Sequence, residues 1–179
     1  QSVDQLPDEL DMSLVAPPHG RTYRYFNSTP LYNFGYGLSY TSFSYSHLVV
    51  TPNTVSAAHP QNISACLTIT NVGQHLSEDV IQFYASRAAA ERTGLQNVPN
   101  VQLVGFVRTD VIQPGATHTA CVPIDPLRRL ALLGSDGVFG LQPGRYTMFG
   151  GGSLPGELGA YVPRSIVQTP VSVPFVLNS

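Results

Sequence analysis

The chain has 179 residues, of which 42% are hydrophobic and 11% are charged, and it contains 16 Gly and 15 Pro. This length allows one domain with its own core and a long extension, and low charge with frequent turn formers favours an all-β protein. A formal net charge of −2 without a basic stripe argues against nucleic acid as a partner. No apolar run approaches the roughly 20 residues that cross a bilayer, so no membrane partner is expected.

The first 42 residues show neither helical nor strand periodicity. Prolines and glycines interrupt any helix, and eight aromatic residues crowd the stretch 20–43 around a glycine bend at 34–37. Disordered segments are usually poor in aromatics. The pattern therefore predicts that residues 1–42 form an extended arm with one or two short turns, and the alternative is a disordered linker.

From residue 43 onward, short β-prone segments alternate with turn clusters. Ile63, Ala65, Leu67 and Ile69 alternate with polar residues, which is typical of a half-buried strand. The predicted strands, in chain order, are 43–51, 63–70, 79–86, 102–109, 117–124, 145–150 and 171–177. Seven strands at this spacing predict an immunoglobulin-like β-sandwich over residues 43–179.

The sequence offers no set of residues that would make this chain an enzyme by itself. Its eleven acidic residues are typical of solvated loops and turns, and no catalytic carboxylate pair can be singled out. The five His lack the spacing of metal ligands. Glycine-rich stretches lack the strand-to-helix context of a phosphate-binding loop. We therefore expect no catalytic, metal or cofactor site.

Two stretches resemble a known family. The segment GRTYRYFNSTPLYNFGYGLSYTSF, residues 20–43, resembles the junction between the catalytic part and the C-terminal fibronectin type III-like domain of glycoside hydrolase family 3 enzymes of the β-xylosidase and β-glucosidase type. The pattern QLVGF…QPGATHTACVPID…LQPGRYTMFGG resembles that domain itself. The resemblance implies a fibronectin type III-like sandwich and a parent hydrolase whose catalytic residues lie in domains outside this chain.

The same resemblance bears on the two cysteines and two sequons. Cys66 and Cys121 fall on polar-facing positions of two strands that the family topology makes neighbours, which implies a disulfide, with two free thiols as the alternative. Asn27 and Asn62 each begin an N-glycosylation sequon. Together these features predict a secreted glycoprotein, extracellular or in the cell wall.

The aromatic arm suggests what the chain contacts. We expect its rings to pack on the catalytic domains of a parent hydrolase or on another protomer, with a sugar-binding platform as the alternative. The predicted packing residues are Tyr23, Tyr25, Phe26, Tyr32, Phe34, Tyr36 and Tyr40.

These features predict a non-catalytic accessory module that stabilises a family 3 glycoside hydrolase. The loops 87–100 and 150–165 are candidates to reach toward the substrate. Two alternatives belong to other functional classes: a stand-alone structural or adhesive glycoprotein subunit with the same fold, and a carbohydrate-binding module that takes polysaccharide as its partner.

Overall fold

The computed structural model describes residues 20–155 and 171–179. Residues 1–19 of the predicted arm and most of the predicted loop 150–165 lie outside the described residues. Short helical elements are α1 (Thr22–Tyr25), a 3-10 turn (Ala89–Glu91) and α2 (Pro126–Arg129). The strands are β1 (Phe43–Thr51), β2 (Thr54–Ser56), β3 (Ile63–Asn71), β4 (Val80–Arg87), β5 (Gln102–Arg108), β6 (Thr117–Ile124), β7 (Leu132–Leu133), β8 (Phe139–Gly140), β9 (Gly144–Gly151) and β10 (Val171–Asn178).

The described strands form two main sheets packed face to face. One sheet has the order β1-β3-β6, and the other has the order β2-β10-β9-β4-β5. Their pairings are antiparallel except for the parallel pair of β2 and β10. A small ladder of β7 and β8 lies beside them. The predicted all-β sandwich is confirmed.

All seven predicted strands are present, each within one residue of its predicted ends. The sequence patterns missed β2, β7 and β8, which have only two or three residues and therefore show no alternation. The short helix α2 begins after Asp125, which caps it by accepting a hydrogen bond from the Leu127 backbone N–H at 3.0 Å. Pro123 lies near the end of β6, an edge strand, where its missing N–H costs no ladder bond.

The core lies between the two sheets. Along β3, alternate residues from Ile63 to Asn71 are buried and the intervening ones are half-exposed, as a strand with one face in the core requires. Phe83 of β4, Met148 of β9 and Phe175 of β10 face them from the second sheet and are buried. The described residues include no helix long and apolar enough to cross a membrane.

The middle of β4 is buried on both faces. Ile81, Phe83 and Ala85 point into the core, but Gln82 and Tyr84 on the opposite face are buried as well. An antiparallel sheet normally leaves one face to solvent. Here the arm covers that outer face.

Candidate functional site

Residues 22–35 of the arm pack on the outer face of β4 and β5. The ring of Tyr23 stacks on Phe34 with centroids 4.0 Å apart and meets Tyr84 edge-on at 6.4 Å. The backbone N–H of Leu103, in β5, donates to the Tyr23 hydroxyl at 3.0 Å. Ring contacts and a hydrogen bond together hold this stretch on the sheet.

A second set of bonds ties α1 to the loop before β5. The Tyr25 hydroxyl donates to the carbonyl of Asn97 at 3.0 Å, and only 7% of Tyr25 is exposed. Asn100 donates from its backbone to the carbonyl of Arg24 at 2.7 Å and from its side chain to that of Tyr25 at 3.1 Å. The predicted substrate-approach loop 87–100 is thus connected to the arm of its own chain.

Gln82 connects the glycine bend of the arm to Gly152, the residue that directly follows β9. Its Nε2 donates to the carbonyl oxygens of Gly35 and Gly152 at 2.9 and 3.0 Å. The Tyr84 hydroxyl donates to Gln82 Oε1 at 2.5 Å. Burial is the main cause that raises the pKa of Tyr84, and the neighbouring Tyr23 adds to it. Both Tyr84 and Gln82 therefore act as neutral hydrogen-bonding groups.

The seven predicted packing aromatics fall into different environments. Tyr25 is buried by its own chain, and Tyr23, Phe26 and Tyr36 are half-buried. Tyr32 and Phe34 are 58% and 43% exposed. Together with Leu31 at 41%, they form an exposed apolar ridge on the arm, called the arm ridge below. Tyr40 is 93% exposed and stands apart, on the rim of a cleft.

This cleft has a volume of about 680 Å³ and lies between residues 35–45 of the chain and the adjoining ends of β4 and β5. It is called the Asp79 cleft below. Tyr45 donates its hydroxyl hydrogen to Asp79 Oδ2 at 2.6 Å. Burial, followed by the charge of Asp79 and this hydrogen bond, raises the pKa of Tyr45 well above its usual range. At the rim, Arg108 Nε donates to Glu78 Oε2 at 2.5 Å.

The carboxylates of the described residues mostly have structural partners. Besides Glu78 and Asp79, Glu91 binds the backbone and side chain of Arg145, and these bonds lower its pKa. Asp125 and Asp136 accept hydrogen bonds from nearby backbone N–H groups. Over residues 20–155 and 171–179, no group of three His, Cys, Asp or Glu could hold a metal ion.

The predicted disulfide and glycosylation residues lie away from the cleft. Cys66 of β3 and Cys121 of β6 are directly opposite in register, and their sulfur atoms are 2.09 Å apart. Asn27 in the arm and Asn62 just before β3 are both exposed. Whether either asparagine carries a glycan stays a prediction.

Sequence reasoning missed the residues that shape the cleft, namely Tyr45, Asp79 and Gln82. Gln82 carried the only available signal, since it is an amide within the apolar strand VIQFY. Strand alternation assigns Gln82 to the solvent face. Its burial depends on the arm, whose contact with it spans 47 residues of sequence.

A fibronectin type III-like domain model matches residues 79–154. The chain is 32% identical over 134 residues to a periplasmic β-glucosidase of Salmonella typhimurium, covering 74% of this chain and 16% of that protein. It is 33% identical over 158 residues to an exo-1,4-β-xylosidase of Emericella nidulans, covering 82% of this chain and 20% of that protein.

Solved structures show the same relationship. A β-glucosidase 3B from Thermotoga neapolitana superposes with a TM-score of 0.61 at 25% identity, covering 83% of this chain and 17% of that one. A β-glucosidase from Erythrobacter marinus superposes with a TM-score of 0.65 at 24% identity, covering 88% and 18%. The chain spans at most about a fifth of each of these relatives. It carries the C-terminal fibronectin type III-like domain of glycoside hydrolase family 3 enzymes.

Proposed function

We propose that this chain is the non-catalytic accessory module of a secreted family 3 glycoside hydrolase, which it stabilises by packing on the catalytic domains. The arm ridge is the observation that carries this proposal. Leu31, Tyr32 and Phe34 remain 41% to 58% exposed, although neighbouring parts of the arm are firmly bonded to the sandwich. A firmly held apolar ridge is a suitable docking surface, because little conformational entropy is lost when a partner covers it.

The size of the relatives supports the same conclusion. The match covers only 16% to 20% of each of these hydrolases, so most of each relative lies outside it. Among the described residues, five of the six carboxylates are engaged by cations, hydroxyls or backbone N–H groups. This arrangement favours a structural role over catalysis by the chain itself.

Secretion is supported by three surface features. Asn27 and Asn62 are exposed positions within sequons, and Cys66 and Cys121 are joined in the structure. Disulfides persist in oxidising compartments and are rare in the cytosol.

The first test is the intact mass of the native polypeptide, with peptide sequencing upstream of Gln1. We expect a protein several times heavier than 19.3 kDa with peptides of catalytic domains. A native chain of 19.3 kDa with no upstream peptides would contradict the proposal and favour the stand-alone subunit.

The second test applies to that native polypeptide. Leu31→Ser with Tyr32→Ser should shorten the half-life of hydrolase activity on heating, because docking loses apolar contact. Phe139→Ser is the matched control, since Phe139 of β8 is 68% exposed and lies elsewhere on the sandwich. Equal half-lives for the ridge variant and the control would reject the docking role of the ridge.

A further inference from the structure

We propose that the Asp79 cleft is a binding site for a neutral, β-linked oligosaccharide. Its volume of about 680 Å³ lies within the range of small-molecule sites. The cleft is lined by tyrosines, carboxylates, two amides, a guanidinium and several serine or threonine hydroxyls. Sugars present hydroxyl groups at their edges and C–H groups on their faces, so a site for them needs both polar groups and aromatic rings.

Hydrogen bonds to Thr109 fix the backbone position of Asp79. Its backbone N–H donates to Thr109 Oγ1 at 3.0 Å, and its carbonyl accepts from the Thr109 backbone N–H at 2.9 Å. Tyr45 fixes Oδ2, whereas Oδ1 receives no hydrogen bond from the residues that the structure describes. Oδ1 is therefore a fixed, charged acceptor, and hydrogen bonds from hydroxyls to carboxylates are stronger than those between neutral groups.

Tyr40 supplies the aromatic surface. It lines the cleft and is 93% exposed, so its ring has almost no contact with the rest of the chain. The ring of an exposed tyrosine leaves a large apolar area in contact with water. Covering this ring with the C–H face of a pyranose would remove that area from water while leaving the phenol hydroxyl solvated.

Hydrogen bonds and close packing fix the position of the cleft wall. Gln82 clamps Gly35 and Gly152, which both line the cleft. A side chain at position 152 would collide with the Tyr45 hydroxyl, so the wall packs closely around the Tyr45–Asp79 pair. Binding to such a site requires little reorganisation of the protein.

The charges of the cleft favour a neutral ligand. Glu78 and Asp79 face a single guanidinium, Arg108, which is already paired with Glu78. This leaves net negative charge, which would repel an acidic sugar. The choice of β-linked sugars follows from the relatives of this domain, which are named β-glucosidase and β-xylosidase.

The test is isothermal titration calorimetry of the full 179-residue chain with xylotetraose, cellotetraose and, as the α-linked comparison, maltotetraose. We expect heat of binding with at least one β-linked sugar and at least tenfold weaker binding of maltotetraose. Tyr40→Ala should weaken binding by about tenfold, a change expected from the loss of one well-placed aromatic contact. Asp79→Asn keeps an acceptor for Tyr45 and should weaken binding several-fold.

Phe139→Ala is the control, because it removes an exposed ring that does not line the cleft and should leave the affinity unchanged. No heat with either β-linked sugar would overturn the inference, as would binding that survives both Tyr40→Ala and Asp79→Asn, or equal affinity for maltotetraose. If Asp79→Asn unfolds the chain, Tyr40→Ala decides alone, since Tyr40 contributes little packing. The titration needs no catalytic domain, so its result is independent of the proposed docking.

Discussion

Gln82 donates a hydrogen bond of 2.9 Å to the carbonyl oxygen of Gly35, across 47 residues of sequence. This bond joins the glycine bend of the arm to the centre of β4. The same amide nitrogen also binds the carbonyl of Gly152. One side chain therefore holds together the arm, the second sheet and one wall of the Asp79 cleft.

Gln82→Met should destabilise the chain by about 2 kcal/mol, because it removes these bonds and leaves the buried Tyr84 hydroxyl without its acceptor. Urea unfolding at neutral pH measures the change. Gln74→Met is the control, since Gln74 is an exposed residue in a turn. A Gln82 variant as stable as the control would show that the clamp contributes nothing to folding.

Gly35→Ala should destabilise the chain by about 1–3 kcal/mol, since alanine strains a left-handed backbone position. Gly35 has φ +76°, and a Cβ there would also collide with the side-chain amide of Gln82. Gly37→Ala is a close control, because nothing lies within 4 Å of its Cβ position. Thermal unfolding of both variants measures the difference, and similar melting temperatures would contradict the observed geometry of the bend.

The Tyr45–Asp79 pair predicts a loss of stability in alkaline solution. The pKa of Tyr45 is raised in the fold, so the unfolded chain ionises first, at about pH 10. Stability is then fully present below that pH and falls as the pH rises above it. Urea midpoints between about pH 8 and pH 11 measure this slope.

Tyr45→Phe should make the alkaline slope shallower. Phe139→Ala is the control and should leave the slope unchanged, because it removes an exposed ring that has no hydroxyl. Part of the slope should remain, since the pKa values of Tyr84 and Tyr146 are also raised by burial. An unaltered slope in Tyr45→Phe would mean that Tyr45 ionises as easily in the fold as in the unfolded chain.

Cys66 and Cys121 are predicted to form a disulfide in the secreted protein. Opening a cross-link between cysteines 55 residues apart should cost about 4 kcal/mol in the chain-entropy model. Unfolding of the chain with and without a phosphine reductant measures it. Cys66→Ala with Cys121→Ala is the control, because the reductant should not affect it. Equal stability of the wild type in both conditions would favour two free thiols.

Local sequence patterns were sufficient to locate the seven long strands. The alternation of Ile63, Ala65, Leu67 and Ile69 reports which side of a strand faces the core, because successive side chains point to opposite faces. Proline and glycine clusters mark where the strands end. The family resemblance added the strand order and the neighbouring positions of Cys66 and Cys121.

The sequence by itself determined the all-β class and the seven long strands, because these follow from side-chain type and spacing over a few residues. Only the tertiary structure decided that residues 22–35 of the arm pack on the sandwich of their own chain. The same holds for the cleft that Tyr40, Tyr45 and Asp79 line. The bond from Leu103 to Tyr23 spans 80 residues. Such contacts depend on how the whole chain folds back on itself, and short-range periodicity carries no information about them.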